Sequence, residues 1–486
     1  MGKDKIITNT IFLFLTSIIT SGARYIFRFI CIKFLTVSEY GMYTSVLPIY
    51  NITLTIGALG LLPSITKHIA ENIGKKDYRR VGKIIVSATQ IAFVMAVAYS
   101  LFLAFFRKVI AVSFLKDHEL VPLILLCAPL VALQILKIVP RGIFLGYQKM
   151  INLTIISMTE QTMRIVFLIF LFYIGFRVEA PLIAWIFAVL LSLIVALMLI
   201  KQLKIPIKMV NLKSVDFSLI KSLVSFGFFI SGTEILEIIM KNVDILGLKI
   251  ITQSNDLVAY YSTASLIASL LLMIPSAFGG AIFPYIAEKR GENITVKSDL
   301  MFGSMFFVIL PLVFGVEFFL REFIVLMFGQ DYLSSCIPAS ILIIGISFYS
   351  IYIISFSFIT TSKNPKRIFY ILLLAVLINI VGNVVLIPKY TTLGASVATS
   401  VSYMFCGIGA LLILKINNEL PDFLIWKTIM INAIFLSLVY ILFHQSSTQL
   451  KVIIFTISIM TSILPWKIYY PELIEMILKK LEKYIF

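Results

Sequence analysis

The chain has 486 residues, 60% of them hydrophobic and 13% charged, against roughly 45 to 50% and about 25% in an ordinary soluble domain. That balance excludes a water-soluble fold. The net charge of +17 does not call for a nucleic-acid partner either, because the cations lie between apolar runs and not on one basic face of a soluble module.

A bilayer span takes roughly 20 apolar residues, so the sequence predicts an all-α, polytopic integral membrane protein of about 14 transmembrane helices. Apolar runs between breakers place six helices in the first half, near 6–34, 41–66, 84–106, 120–145, 152–175 and 180–200. Lys3 and Lys5 before an apolar run that closes on Ser21-Gly22-Ala23 imitate a secretory signal. The run resumes through Leu35 with two arginines inside, so one uncleaved helix is expected. A basic cytoplasmic linker over 201–222 leads to a second set near 223–250, 257–285, 300–320, 335–360, 368–388 and 393–414. Residues 417–466 hold two additional helices, near 428–444 and 450–466. The tail over 467–486 reads either as an amphipathic helix on an anionic inner leaflet or as a solvated end.

With the N-terminus inside, the inner segments hold 26 of the 41 Lys and Arg residues and the outer loops hold 6. The positive-inside rule then puts both termini in the cytoplasm and the protein in the cytoplasmic membrane. Cys31, Cys127, Cys336 and Cys406 form no CxxC pair, and His68, His118 and His444 are scattered, so no metal site and no cofactor is expected.

The chain repeats itself. Glu39-Tyr40-Gly41-Met42-Tyr43 leading to Ile69-Ala70-Glu71 recurs as Leu257-Val258-Ala259-Tyr260-Tyr261 leading to Ile286-Ala287-Glu288, and Gly146, Arg164 and Ala180 align with Thr361, Asn379 and Ala395. Two six-helix repeats, 1–200 and 223–416, follow, and an even number of helices gives both the same orientation.

At these residues the sequence resembles the polysaccharide-exporter (Wzx-type) flippases. The likeness rests on Arg28 to Leu35, Ser38 to Tyr43, Pro140-Arg141-Gly142-Ile143-Phe144-Leu145-Gly146 and Glu160 to Arg164. In the second half it rests on Asp244 to Gly247, Phe328-Gly329-Gln330-Asp331-Tyr332, Leu386-Ile387-Pro388 and Gly394 to Thr399. It covers residues 1 to about 416. The resemblance implies a MATE-like fold of the multidrug/oligosaccharidyl-lipid/polysaccharide exporter superfamily. It also implies a function: moving a polyprenyl-linked oligosaccharide across the membrane by alternating access, with membrane lipids and glycan-assembly enzymes as neighbours.

A charge at mid-bilayer costs about 2.5 to 3.5 kcal/mol, so it normally faces protein or a wet cavity. Arg24 and Arg28, Lys137 and Arg141, and Glu160 and Arg164 are each four residues apart, and Glu234, Glu237, Lys241 and Asp244 also share one helical face. Glu160 with Arg164 and Glu237 with Lys241 have the spacing of self-satisfied pairs, while Lys33, Arg141 and Lys249 lie near span ends, where long side chains snorkel. Arg24 and Arg28 have no acid on their own helix. In the second repeat their counterparts are Asn242 and Leu246, and that of Arg164 is Asn379, so these cations are not demanded by the shared fold. A lipid-linked sugar carries phosphate, which suits the guanidinium fork. Arg24, Arg28, Arg164 and Lys241 are therefore the candidate phosphate ligands, and Glu160, Glu234, Glu237 and Asp244 the candidate cavity acids for ion coupling. A MATE-type cation-coupled drug exporter is the nearest alternative. A membrane glycan polymerase or transferase is a further one, which the short outer loops disfavour; no enzyme motif is present.

Overall fold

The computed structural model describes residues 3–203, 217–276, 294–360, 364 and 366–469. Among them there is no strand. Helices follow one another through short turns, as expected where hydrocarbon offers the backbone no hydrogen-bond partners. Ten helical segments are long and apolar enough to cross a membrane. Positions 204–216 of the expected linker, the Ile286-Ala287-Glu288 repeat exit and positions 470–486 of the tail lie outside the described residues.

The first half follows the expected order, with one break. Helix α1 (Lys3–Phe34) gives way at Thr36, which caps α2 (Val37–Ala58). The Thr36 hydroxyl accepts from the Glu39 amide at 3.2 Å, and the Glu39 carboxylate accepts from the Thr36 amide at 2.8 Å, a reciprocal capping box that satisfies two orphan donors. The span expected as one helix over 41–66 is two, α2 and α3 (Leu61–Gly74), broken at Leu59 and Gly60. Both have positive φ, and a Cβ on Gly60 would lie 2.2 Å from the Gly227 carbonyl oxygen, so only glycine allows this approach. Helix α4 (Tyr78–Lys108) ends in a π-helical turn (Val109–Phe114), followed by α5 (Leu120–Gly146), α6 (Met150–Tyr173) and α7 (Ala180–Gln202). Arg177, in the turn before α7, grips the Glu39 carboxylate with two bonds of 2.9 and 3.1 Å.

The expected seventh span is also broken, into α8 (Phe217–Met240) and α9 (Val243–Thr252). Then come α10 (Asn255–Leu270), α11 (Ile294–Phe318), α12 (Leu320–Phe328), a 3₁₀ turn (Gln330–Ser335), α13 (Cys336–Thr360), α14 (Arg367–Ile416), α15 (Phe423–Phe443) and α16 (Thr448–Tyr469). Helix α14 spans 50 residues but contains Thr391 at φ 48°, ψ −120°, where the chain turns back. The Asn379 side chain donates to the Thr399 hydroxyl at 3.3 Å, although twenty residues of straight helix would separate them by about 30 Å. The spans expected near 368–388 and 393–414 are these two antiparallel arms.

Packing divides the described chain into two units. One comprises residues within 1–262 and 380–395, the other those within 263–379 and 396–486. The division falls within α10 and α14 and not at the expected linker, because α8 and α9 pack on α2, α3 and α4. In the second unit, Phe314 and Phe318 of α11 pack with Leu436 of α15. Lys451 of α16 is buried there, paired with Glu322 at 2.7 Å, which docks α16.

Candidate functional site

Within the first unit a polar cavity of about 580 Å³ lies among α1, α2, α5, α6 and α7. Its walls follow from helical periodicity: residues four apart share a face, so α1 presents Arg24 and Arg28, α5 presents Lys137 and Arg141, and α6 presents Glu160 and Arg164 to the same space. Five cations thus line it against a single carboxylate.

The carboxylate is spoken for. Glu160 is buried and accepts from the Lys137 ammonium, from the Gln134 amide at 3.0 Å and from the Trp185 indole N–H at 3.1 Å. Its partner is therefore Lys137 on α5, not Arg164 on its own helix. Arg164 is held differently. Its guanidinium carbon lies 3.8 Å from the Phe27 ring centre and 3.7 Å from that of Trp185, inside an aromatic sandwich, and it donates to the Tyr43 hydroxyl at 3.5 Å. Cation–π contacts in such a desolvated site are worth about 2 kcal/mol or more. The Arg164 Nε is buried without a hydrogen-bond partner.

Arg24 is exposed and donates to the Ser21 hydroxyl at 2.8 Å, and Arg28 is half-buried. Among the described residues neither makes an ion pair with a carboxylate. Arg141, expected to snorkel, is exposed and also lines the cavity.

The candidates on the expected seventh span do not join this group. The break after Met240 ends the common face on which Glu234, Glu237, Lys241 and Asp244 were placed, and none of the four lines the cavity. Glu237 and Lys241 pair with one another at 3.0 Å. Asp244 is buried, accepts from the Tyr261 hydroxyl and from the Ile245 amide at 2.8 Å, and so serves the start of α9. The repeat counterparts of the arginines are neutral and internally bonded: Asn242 accepts from the Asn51 amide at 3.0 Å, Leu246 is buried, and Asn379 holds Thr399.

Lys249, also expected to snorkel, is 1% exposed and bound to Asp117 at 2.6 Å. Burial alone would raise the Asp117 carboxyl, but the Lys249 ammonium bonded to it holds it below the usual carboxylate range. Sequence reasoning found the cations but missed Trp185, Phe27 and Gln134. Trp185 is one of three tryptophans in the chain, and its helix carries no charge near it to draw notice.

The family model for polysaccharide biosynthesis proteins matches residues 6–290, more than half of the chain and every residue that lines the cavity. The chain belongs to this family. Its sequence is 26% identical over 165 residues to stage V sporulation protein B of Bacillus subtilis, covering 34% of this chain and 32% of that one. It is 27% identical over 167 residues to the probable low-salt glycan biosynthesis flippase Agl15 of Haloferax volcanii, covering 33% and 34%. The matches thus span about a third of each of these relatives. Among solved structures, the lipid II flippase MurJ in an inward closed conformation superposes with a TM-score of 0.77 at 17% identity, covering 96% of this chain and all of that one. At that identity the likeness shows the fold. This member of the polysaccharide biosynthesis family is a multi-pass membrane protein with the same fold as that structure.

Proposed function

We propose that the chain flips a polyprenyl-(pyro)phosphate-linked oligosaccharide across the cytoplasmic membrane by alternating access, with both termini in the cytoplasm. In this reading the six-helix repeats over 1–200 and 223–416 move against one another. The cavity's charge carries the proposal: five cations face one carboxylate, and that carboxylate is already saturated. Arg24 and Arg28 offer planar donor forks to phosphate oxygens, and Arg164 adds its unpartnered Nε. Lys137 and Arg141 supply further positive potential, and Lys241, paired with Glu237, is left out. The polyprenyl tail stays in lipid while the sugars occupy the polar space. A relative named as a glycan biosynthesis flippase and the family match support the same cargo class.

The test is export in a strain deleted for the gene. Arg24→Gln and Arg28→Gln each remove charged hydrogen bonds worth about 1.5 to 3 kcal/mol, so each lowers export roughly tenfold to a hundredfold at unchanged membrane protein level. Undiminished export by the double variant defeats the assignment. The deletion itself accumulates lipid-linked glycan on the inner leaflet, and its sugar analysis names the cargo. A cationic drug would meet repulsion in this cavity, so drug susceptibility stays unchanged in a strain lacking its own pumps.

A further inference from the structure

A second positively charged concavity, apart from the cargo cavity, lies where α4 begins. It measures about 440 Å³ and is lined by Asp77, Arg79, Arg80, Lys83, Ser218 and Leu219. Lys75, Lys76, Arg79, Arg80 and Lys83 put five cations into nine residues, all exposed. Among the described residues none of them has a carboxylate partner, whereas Lys67 just upstream sits 3.9 Å from Glu71. Asp77 is engaged as the cap of α4, accepting from the Arg80 amide at 2.9 Å, so it does not neutralise the group.

The depth of the concavity in the fold says what kind of anion it suits. Val81, Gly82, Ile84 and Ile85 are buried and open the apolar run of a 31-residue helix long and apolar enough to cross a membrane, and a span that begins with this run puts the cations at the boundary between headgroups and hydrocarbon. Their segment is the most basic inner loop under the positive-inside reading. The partial positive charge at the start of α4 adds to theirs, and α8, which packs on α4, closes the other wall with Ser218 and an apolar floor at the buried Leu219. Basic pockets between transmembrane helices on the cytoplasmic side take phosphate-bearing headgroups.

We propose that this concavity binds the phosphate headgroup of an anionic phospholipid of the inner leaflet, tying α4 to α8 through the lipid. The proposal goes beyond the cargo reading and does not rest on it.

The experiment uses the full chain purified in detergent and analysed by native mass spectrometry with phosphatidylglycerol, phosphatidylcholine or inorganic phosphate added. Phosphatidylglycerol is retained preferentially. At about 1 kcal/mol for each cation near the headgroups, Lys83→Gln weakens retention roughly fivefold, and Arg79→Gln/Arg80→Gln/Lys83→Gln weakens it on the order of a hundredfold. Arg79→Lys/Arg80→Lys keeps it, and Lys415→Gln/Lys427→Gln, which removes charge elsewhere, leaves it unchanged. If the triple variant fails to fold, the Lys83→Gln and Arg-to-Lys variants carry the comparison. Equal retention of phosphatidylglycerol and phosphatidylcholine overturns the proposal, as does retention unaffected by Lys83→Gln. Displacement of the lipid by inorganic phosphate at matching concentration assigns the site to a free anion and overturns the lipid source.

Discussion

Trp185 shows how one neutral side chain organises the charged groups of the cavity. Its ring face lies on Arg164 and its N–H reaches Glu160, so one side chain positions both a cation and the anion of the cavity. Trp185→Phe keeps the stacking surface and removes the donor, whereas Trp185→Ala removes both. The losses are about 1.5 to 3 kcal/mol for a hydrogen bond to a charged group and about 2 kcal/mol more for the desolvated stack. Thermal unfolding in detergent therefore ranks wild type above Phe and Phe above Ala; equal midpoints for Phe and Ala would remove the stack from the account. The charged half of the site was legible because a charge in an apolar run is conspicuous, and a spacing of four puts two charges on one helical face. The aromatic half was not legible. Phe27 and Trp185 are ordinary apolar letters in apolar helices, and only packing reveals that their rings flank a guanidinium.

Among the helices, those expected to be continuous over 41–66, 223–250 and 257–285 break, and at the first of these breaks contacts distant in sequence meet. Gly60 meets Gly227 backbone to backbone, and the Ser64 hydroxyl donates to the Leu223 carbonyl at 2.8 Å. A hydropathy window averages over such a break because the flanking residues are equally apolar. Close to the far end of α9, Lys249 reaches Asp117, 132 residues away in the chain, and links the loop before α5 to α9, elements that fall in different repeats on the proposed reading. If the repeats rock, this contact opens and closes. Asp117→Cys/Lys249→Cys, in a background without Cys31, Cys127, Cys336 and Cys406, is bridged by a short bis-methanethiosulfonate crosslinker, because the reach of the lysine sets the two backbones too far apart for a direct disulfide. The bridge blocks transport and releases it on reduction. Full transport with the bridge intact would rule the motion out.

For the whole molecule, the all-helical, multi-span class and the order of the helices followed from composition and apolar run length, because the bilayer permits few other solutions. The packing units did not follow, because the 380–395 turn of α14 joins the first unit through contacts such as Ile387 against Gly247. The Asp117–Lys249 pair also gives the fold a pH signature. A carboxyl whose folded pKa lies below its unfolded value near 3.9 contributes stability above that value and loses it as the pH falls through the folded one. Wild-type melting temperature therefore drops more steeply than that of Asp117→Asn on acidification below about pH 4, and parallel profiles would show that the pair contributes nothing.

With the centres of the Phe27 and Trp185 rings both within 3.8 Å of the Arg164 guanidinium carbon, little of its broad face is left for a visitor, which meets it along its rim. Flat aromatic molecules, which seek the broad side of such a cation, find that position taken, whereas a compact tetrahedral oxyanion needs no more than the rim. On the proposed reading the cavity filters by direction of approach as well as by charge.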